Sequence, residues 1–276
     1  LMLTDAEFAL VAREVRARSG AVFSHEVAGP AEIRLTPLAR REGFATVNEL
    51  IAAARIRPDG ALWNAITEAL AQSETRFFRD KSLFKTLRED LLPAAIRKRG
   101  HERVRVLCAG CSTGQEPYSL AMLVEEMREE GLNPAIEIVG ADFSERLLDK
   151  ARSGLYTQFE VQRGLPIRKL IGHFEKAGDL WRISDRLRAA VRFETHNLMK
   201  HPGGLGQFDI IVLSHVLNVF APETRAEIVN RLTDALTPDG VLLLGAGEML
   251  PEQCDGLMQR EHVVRRASAA AKTVAA

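Results

Sequence analysis

Cysteine is nearly missing from this 276-residue chain, which holds only Cys108, Cys111 and Cys254. An odd and sparse set in a chain this long excludes a disulfide-stapled secreted scaffold and leaves free thiols as the expectation. Cys108 and Cys111 do stand in a C-x-x-C spacing, but no second pair of ligand residues accompanies them, so no metal is expected. An excess of either charge is missing too, with 37 Lys and Arg against 37 Asp and Glu. A balanced chain has no global attraction to DNA, RNA or an anionic bilayer, and nucleic acid is not an expected partner. No apolar run approaches the roughly 20 residues that span a bilayer. The first residues, with Asp5 and Glu7, also lack a basic region followed by an apolar stretch. Membrane insertion is therefore not expected, and a cytoplasmic location is.

What is present is a 46% apolar composition, enough for one large domain or two modest ones with a real core. Phe8, Val11, Ala12 and Val15 recur at helical spacing between a candidate N-cap, Thr4, and a stop, Gly20. Ile33, Leu35, Leu38 and Phe44 repeat the pattern among Arg34, Arg40 and Arg41, and Val47 to Ala54 repeats it again. The first third reads as helical, followed by a linker and packing helices up to Gly100.

From Val104 the texture changes. The apolar run Val104 to Ala109, a glycine-bearing loop, a helical pattern over Tyr118 to Met127 and the run Ile136 to Ala141 spell a βαβ unit. A helix over Glu145 to Arg152 precedes a segment, Gly154 to Pro166, that reads as irregular. Leu180 to Ile183 and Ala190 to Phe193 read as two strands of a small antiparallel insertion. Phe208 to Leu213, Pro222 to Leu236 and Val241 to Leu244 complete a strand, helix, strand alternation. The fold class is α/β, a largely parallel sheet covered by helices.

The sharpest local signal is the loop between the first strand and its helix. Gly110 and Gly114 lack Cβ atoms, so a ligand can approach the backbone, and the first amides of the helix point outward unsatisfied. A P-loop would need Lys followed by Ser or Thr after its last glycine; Gln115 and Glu116 stand there, which excludes a triphosphate. A dinucleotide site would need GxGxxG, which is absent, although Asp142 ends the second strand where a ribose-binding acid belongs. S-adenosylmethionine fits better: it has no phosphate, its sulfonium and ammonium suit Glu116, and its ribose hydroxyls suit Asp142. On these residues alone an α/β turn that binds nothing stays open.

Several separated segments resemble the chemotaxis receptor methyltransferases, the CheR family of protein-glutamate O-methyltransferases. They are SETRFFRD at 73–80, AGCSTGQEPYSLAM at 109–122, ADFSERLLDKARSGLY at 141–156, VQRGLP at 161–166, HNL at 196–198, FDIIV at 208–212 and TPDGVLLLGAGE at 237–248, with a weaker likeness at RLTPLARREGF, 34–44. The resemblance implies a small all-helical amino-terminal domain and linker over residues 1–72. A Rossmann-like methyltransferase domain over 73–276 would follow, with a small antiparallel β-subdomain near 166–194. It also implies that Thr75, Arg79, Glu116, Asp142, Asn197 and Leu198 contact the cofactor, S-adenosyl-L-methionine, whose product is S-adenosyl-L-homocysteine. Arg79 is the expected orienting residue for the incoming carboxylate.

The chain departs from the family pattern in two places. Ser73 replaces the Asn that usually opens the NxTxFFR motif and is still expected at the cofactor. SHVLNVF at 214–220 replaces a segment that usually reads RNVLIYF, so that Ser214, His215 and Val219 stand for Arg, Asn and Tyr. Ser214 and His215 are expected at the cofactor, His215 as a donor to its carboxylate or ribose, whereas Val219 can donate nothing. The implied substrate is the helical cytoplasmic bundle of a chemoreceptor, with Arg34, Arg40 and Arg41 as its basic complement and the enzyme acting as a monomer. A different class of function also stays open, a regulatory module that keeps the cofactor fold and has lost efficient transfer through the changes at 214, 215 and 219.

Overall fold

A computed structural model describes residues 3–23, 28–57, 60–70 and 74–267. The chain forms two compact units: Leu1–Gln72 with Asn218–Thr224, and Ser73–Leu217 with Arg225–Ala276.

The first unit is helical. α1 (Asp5–Ser19) starts at a capping box, in which Thr4 and Glu7 satisfy each other's backbone amides, and stops at Gly20 in the left-handed conformation. α2 (Ala28–Arg41), α3 (Val47–Ile56) and α4 (Ala61–Leu70) follow. Val11, Val15, Leu35, Leu50, Ile51, Ile66 and Leu70 form their common core. Ile33, expected on the packed face of α2, is instead 75% exposed. The returning segment joins this unit through a bridge between Ala21 and Phe220 and a 2.8 Å bond from the Val22 amide to the Val219 carbonyl.

The second unit opens with α5 (Lys81–Thr86), a π-helical turn over Leu87–Leu91, and α6 (Leu92–Arg99). β1 (Val104–Ala109), α7 (Gln115–Glu129) and β2 (Ile136–Asp142) are the expected βαβ unit. The near-continuous apolar run of β1 follows from burial on both faces of a parallel sheet. Then come α8 (Glu145–Ser153), β3 (Leu155–Thr157), α9 (Gln158–Gln162), α10 (Ile167–His173), β4 (Phe174–Ala177), β5 (Leu180–Ile183), α11 (Asp185–Ala189), β6 (Val191–Thr195), β7 (Phe208–Leu213), α12 (Pro222–Asp234), β8 (Leu236–Leu244), β9 (Leu257–Arg260) and β10 (Val263–Arg266).

Seven strands form the main sheet in the order β6-β2-β1-β7-β8-β10-β9. β6, β2, β1, β7 and β8 run parallel, and β10 turns antiparallel to both β8 and β9. β1 pairs with β2 on one side and β7 on the other, so the strand order reverses there. In an open α/β sheet, ligands bind at the carboxyl ends of strands beside such a reversal.

The small antiparallel sheet has the order β3-β5-β4 and differs from expectation in its membership. Leu155–Thr157, placed in an irregular stretch by the sequence, is one of its strands. Of the run Ala190–Phe193, expected in the insertion, Val191–Phe193 belong to β6, which pairs parallel with β2 at the edge of the main sheet. The insertion therefore uses strands between 155 and 183 rather than 166 and 194. The alternating burial of β6 explains the misreading, because a parallel strand at a sheet edge shows one wet face just as a strand of a small antiparallel sheet does.

Candidate functional site

The carboxyl end of β1 carries the site. Gly110 has φ +74°, and a Cβ there would lie 2.8 Å from Val216 Cγ2, so both backbone conformation and space require glycine. The amides of Gly110 and Cys111 both donate to the Ala141 carbonyl, at 2.8 and 2.9 Å. Ser112 follows in the left-handed region with φ +52°, and its amide donates to Asp142 Oδ2 at 2.8 Å. Tyr156 of β3 fixes the loop from the other side by donating its hydroxyl to the Thr113 carbonyl at 2.8 Å. α7 then begins after Gly114, which offers no side-chain cap. Ser112 Oγ is buried in this loop with no hydrogen-bond partner among the described residues.

Asp142 ends β2 and accepts a second amide bond, from Ser144 to Oδ1 at 3.0 Å. Its own carbonyl takes the His196 amide at 2.9 Å, which brings the turn after β6 alongside. In that turn Asn197 Oδ1 accepts the Met199 amide at 2.9 Å, and Leu198 is buried. The turn carrying Asn197 and Leu198 therefore lies beside Asp142.

Glu116 stands in the first turn of α7 and accepts a hydrogen bond from Ser214, just past the end of β7. Burial pushes its pKa up to about 7. Bonds from Ser214 and Cys108 and the charge of Arg79 oppose that rise, and the charge of Glu248 adds to it. Arg79 is half-buried, and its guanidinium donates to the Glu74 carbonyl. Its segment is clamped from the 161–166 motif. Arg163 pairs with Glu74 at 3.2 Å, and a Cβ on Gly164 would come 2.2 Å from the Phe77 carbonyl oxygen. Thr75 is half-buried in the same segment, and Ser73 lies outside the described residues.

His215 adopts φ +57°, a left-handed conformation that a non-glycine residue holds only when its surroundings fix it. Glu248 does the fixing. Its Oε2 accepts the His215 amide at 2.7 Å and the Gly245 amide at 2.8 Å, joining the ends of β7 and β8. Glu248 Oε1 is buried with no partner among the described residues. Asp80 works in parallel, taking Ser82 Oγ at 2.7 Å and the Ala246 amide at 2.5 Å. It lies 4.0 Å from His215 Nε2. Burial, with help from Arg79, holds the His215 pKa below the usual histidine value, so the imidazole is neutral at pH 7.

Sequence reasoning overlooked Asp80, Ser112 and Glu248. Each stood inside a motif that carried the resemblance, the first and last as terminal letters of SETRFFRD and TPDGVLLLGAGE. The Val219 carbonyl accepts the Val22 amide within the first unit. Arg34, Arg40 and Arg41 are exposed on α2. There Arg34 also donates to the Leu70 carbonyl at 3.2 Å, and Arg41 pairs with Glu42 at 3.2 Å. Among the described residues no cluster of three or more His, Cys, Asp or Glu side chains could hold a metal. Cys108 and Cys111 are buried free thiols whose pKa values burial raises well above the ordinary range.

Two carboxylates flanking a glycine loop, with an unpartnered buried hydroxyl between them, suit a cationic ligand that carries hydroxyl groups. A model of the CheR methyltransferase SAM-binding domain matches residues 73–264. The chain belongs to the CheR methyltransferase family. S-adenosylmethionine is its cofactor, and the donor set described above fits that molecule. Chemotaxis protein methyltransferase Cher2 of Pseudomonas putida is 33% identical over 79% of this chain and 80% of its own length. The chemotaxis protein methyltransferase of Vibrio parahaemolyticus is 33% identical over 96% of this chain and 95% of its own. Among solved structures, TrmN from Thermus thermophilus overlays with a TM-score of 0.38 at 16% identity, over 64% of this chain and 48% of that one. A likeness so distant says nothing of chemistry. No helix among the described residues of this CheR-family chain is long and apolar enough to cross a membrane.

Proposed function

We propose that this chain transfers a methyl group from S-adenosylmethionine to glutamate side chains on the helical cytoplasmic bundle of a chemoreceptor, giving glutamate methyl esters. It acts in the cytoplasm as a monomer. The observation that carries the reading is the pairing of Glu116 and Asp142 across the Gly110–Ser112 loop at the carboxyl ends of β1 and β2, within a domain whose family binds this cofactor.

Glu116 holds the ammonium group of the cofactor, and Ser214 steadies the Glu116 carboxylate. Asp142 receives the ribose hydroxyls. Ser112 Oγ adds a donor from the loop. Asn197 and Leu198 supply an amide edge and an aliphatic wall for the adenine, and Thr75 closes the near side. Bound there, the cofactor supplies a methyl group on a positively charged sulfur.

A glutamate side chain ionises near pH 4.3, so at neutral pH the substrate is already a carboxylate and no base is needed. The protein's contribution is to position that carboxylate and to exclude water. Arg79 orients it, from a place where its charge acts on both Glu116 and His215. His215, neutral at pH 7, offers a hydrogen bond without adding positive charge beside a cationic ligand. Residues 1–72 recognise the receptor, with Arg34, Arg40 and Arg41 facing its acidic helices.

The test is transfer of a tritiated methyl group to receptor fragments, followed by mild alkali. Volatile radioactive methanol released in proportion to incorporation supports a glutamate ester. Alkali-stable label would place the methyl on nitrogen or sulfur and refute the substrate. Calorimetric binding of S-adenosylhomocysteine with no transfer to any receptor fragment would refute the enzyme reading.

A further inference from the structure

A second concave site lies at the opposite end of the sheet. It encloses about 540 Å³ and is lined by Arg103, Arg128, Arg186 and Arg192, against one acidic lining residue, Glu137. That volume falls in the range of small-molecule sites. The groove takes its walls from the start of β2, the start of β6, the last turn of α7 and α11. Asp142 ends the same β2 strand. At about 3.3 Å per residue, the groove residues Ile136 and Ile138 stand roughly 13 to 20 Å from Asp142.

The arginines are held in place from behind. Glu125 on α7 is only 2% exposed. One of its oxygens pairs with Arg128, and the other pairs with Arg186 of α11 at 2.7 Å. Glu137 plays the same part on β2, pairing with Arg105 at 2.9 Å and with Arg192 of β6 at 3.3 Å, and Arg192 also pairs with Glu194 on its own strand. Each carboxylate thus ties together guanidinium groups from two elements, which fixes their positions before any ligand arrives. Arg103 makes no ion pair among the described residues. Between the arginines the lining is short and aliphatic, from Ile136, Ile138 and Ala190.

We propose that this groove binds a small organic polyphosphate of nucleotide size. Three of the four guanidinium groups share the carboxylates of Glu125, Glu137 and Glu194, and Arg103 adds its charge in full, so the rim keeps an excess of positive charge that calls for a compact anion. A pyrophosphate group is such an anion, and the planar guanidinium fork matches its oxygens in pairs. Glutamates along a peptide present single charges spaced along an extended backbone and meet this geometry less well. The aliphatic surface between the arginines suits the flat face of a base. The site is separate from the cofactor site and its occupancy does not depend on methyl transfer.

The experiment is calorimetry on the full chain at low salt, with saturating S-adenosylhomocysteine present so that the adenosyl site is filled. The probes are ADP, GDP, inorganic pyrophosphate and a glutamate-rich peptide. Saturable binding of ADP, GDP and pyrophosphate is expected, weakening as salt rises. In the Arg103→Ala plus Arg192→Ala double variant that binding should fall at least tenfold. This pair leaves Glu125 with both its partners and Glu137 with Arg105, so the variant retains its core, which its melting temperature checks. No saturable binding of pyrophosphate or either nucleotide overturns the proposal. Binding of the peptide alone overturns the ligand class, and nucleotide binding unchanged in the double variant overturns the location.

Discussion

Glu116 ought to make cofactor affinity fall with acidity across an ordinary working range. Its carboxyl titrates at about 7 because burial and the neighbouring charge of Glu248 disfavour the ionised form, more than Ser214, Cys108 and Arg79 favour it. The ligand's ammonium group binds the ionised form. With a pKa of about 7, roughly three quarters of the sites are ionised at pH 7.5 and roughly one thirtieth at pH 5.5. The association constant for S-adenosylhomocysteine should therefore drop about 20-fold between those values, or about 1.8 kcal/mol. Glu116→Gln, neutral at every pH, should bind at the weak acid-limb level throughout and give a flat profile. The sign for folding is the reverse. A carboxyl whose pKa is raised from 4.5 in the unfolded chain to about 7 in the folded one costs the folded state stability as pH rises from about 4.5 to about 7, above which the cost is constant, and a bound ammonium group relieves it. The ligand-induced rise in melting temperature should accordingly be larger at pH 7.5 than at pH 5.5. His215, whose own protonation below its lowered pKa would weaken binding in the same direction, is controlled with His215→Asn. Isothermal calorimetry in buffers of differing ionisation enthalpy measures both affinity and proton release. A flat wild-type profile, or an equal fall in Glu116→Gln, refutes the assignment of this carboxylate to the ligand's positive end.

Other predictions follow from the same geometry. Glu248→Gln keeps an oxygen to accept the His215 and Gly245 amides but removes a negative charge beside Glu116, so the midpoint of the binding profile should move to lower pH; an unmoved midpoint removes the electrostatic link between the two acids. Arg79→Ala should cut methyl transfer at least tenfold while S-adenosylhomocysteine affinity falls less, and unchanged turnover would take Arg79 out of the reaction. Gly110→Ala forces a Cβ into a left-handed residue and against Val216. It should cost about 1–2 kcal/mol from backbone conformation alone, read as a lowered urea midpoint, and a midpoint equal to wild type would show that the loop relaxes freely.

How much of this was legible in the sequence varied with the length over which each structural cause acts. β1 came out residue for residue, since a strand buried on both faces writes its burial as an unbroken apolar run. The start of α7 was placed three residues late, because Gln115 and Glu116 are polar and no Ser, Thr, Asp or Asn caps the helix. β6 was assigned to the wrong sheet, since its partner β2 lies some fifty residues upstream and nothing local to Ala190–Phe193 names it. In the site, Glu116 and Asp142 were readable because each follows a strand within a few residues and has a charge that needs a purpose. Asp80 and Glu248 were not, since their work is to bind backbone amides at 246, 215 and 245, and such bonds leave no trace in residue type.

Asp142 grips the amides of both Ser112 and Ser144, and this ties two phenotypes together. A lesion there would loosen the loop after β1 and the entry to α8 at the same moment that it removed a ligand contact. Alleles at 142 recovered from a screen for lost activity would consequently combine poor occupancy with poor yield, and no substitution could tune one trait while sparing the other. Selection on this position acts on shape and recognition as a single quantity.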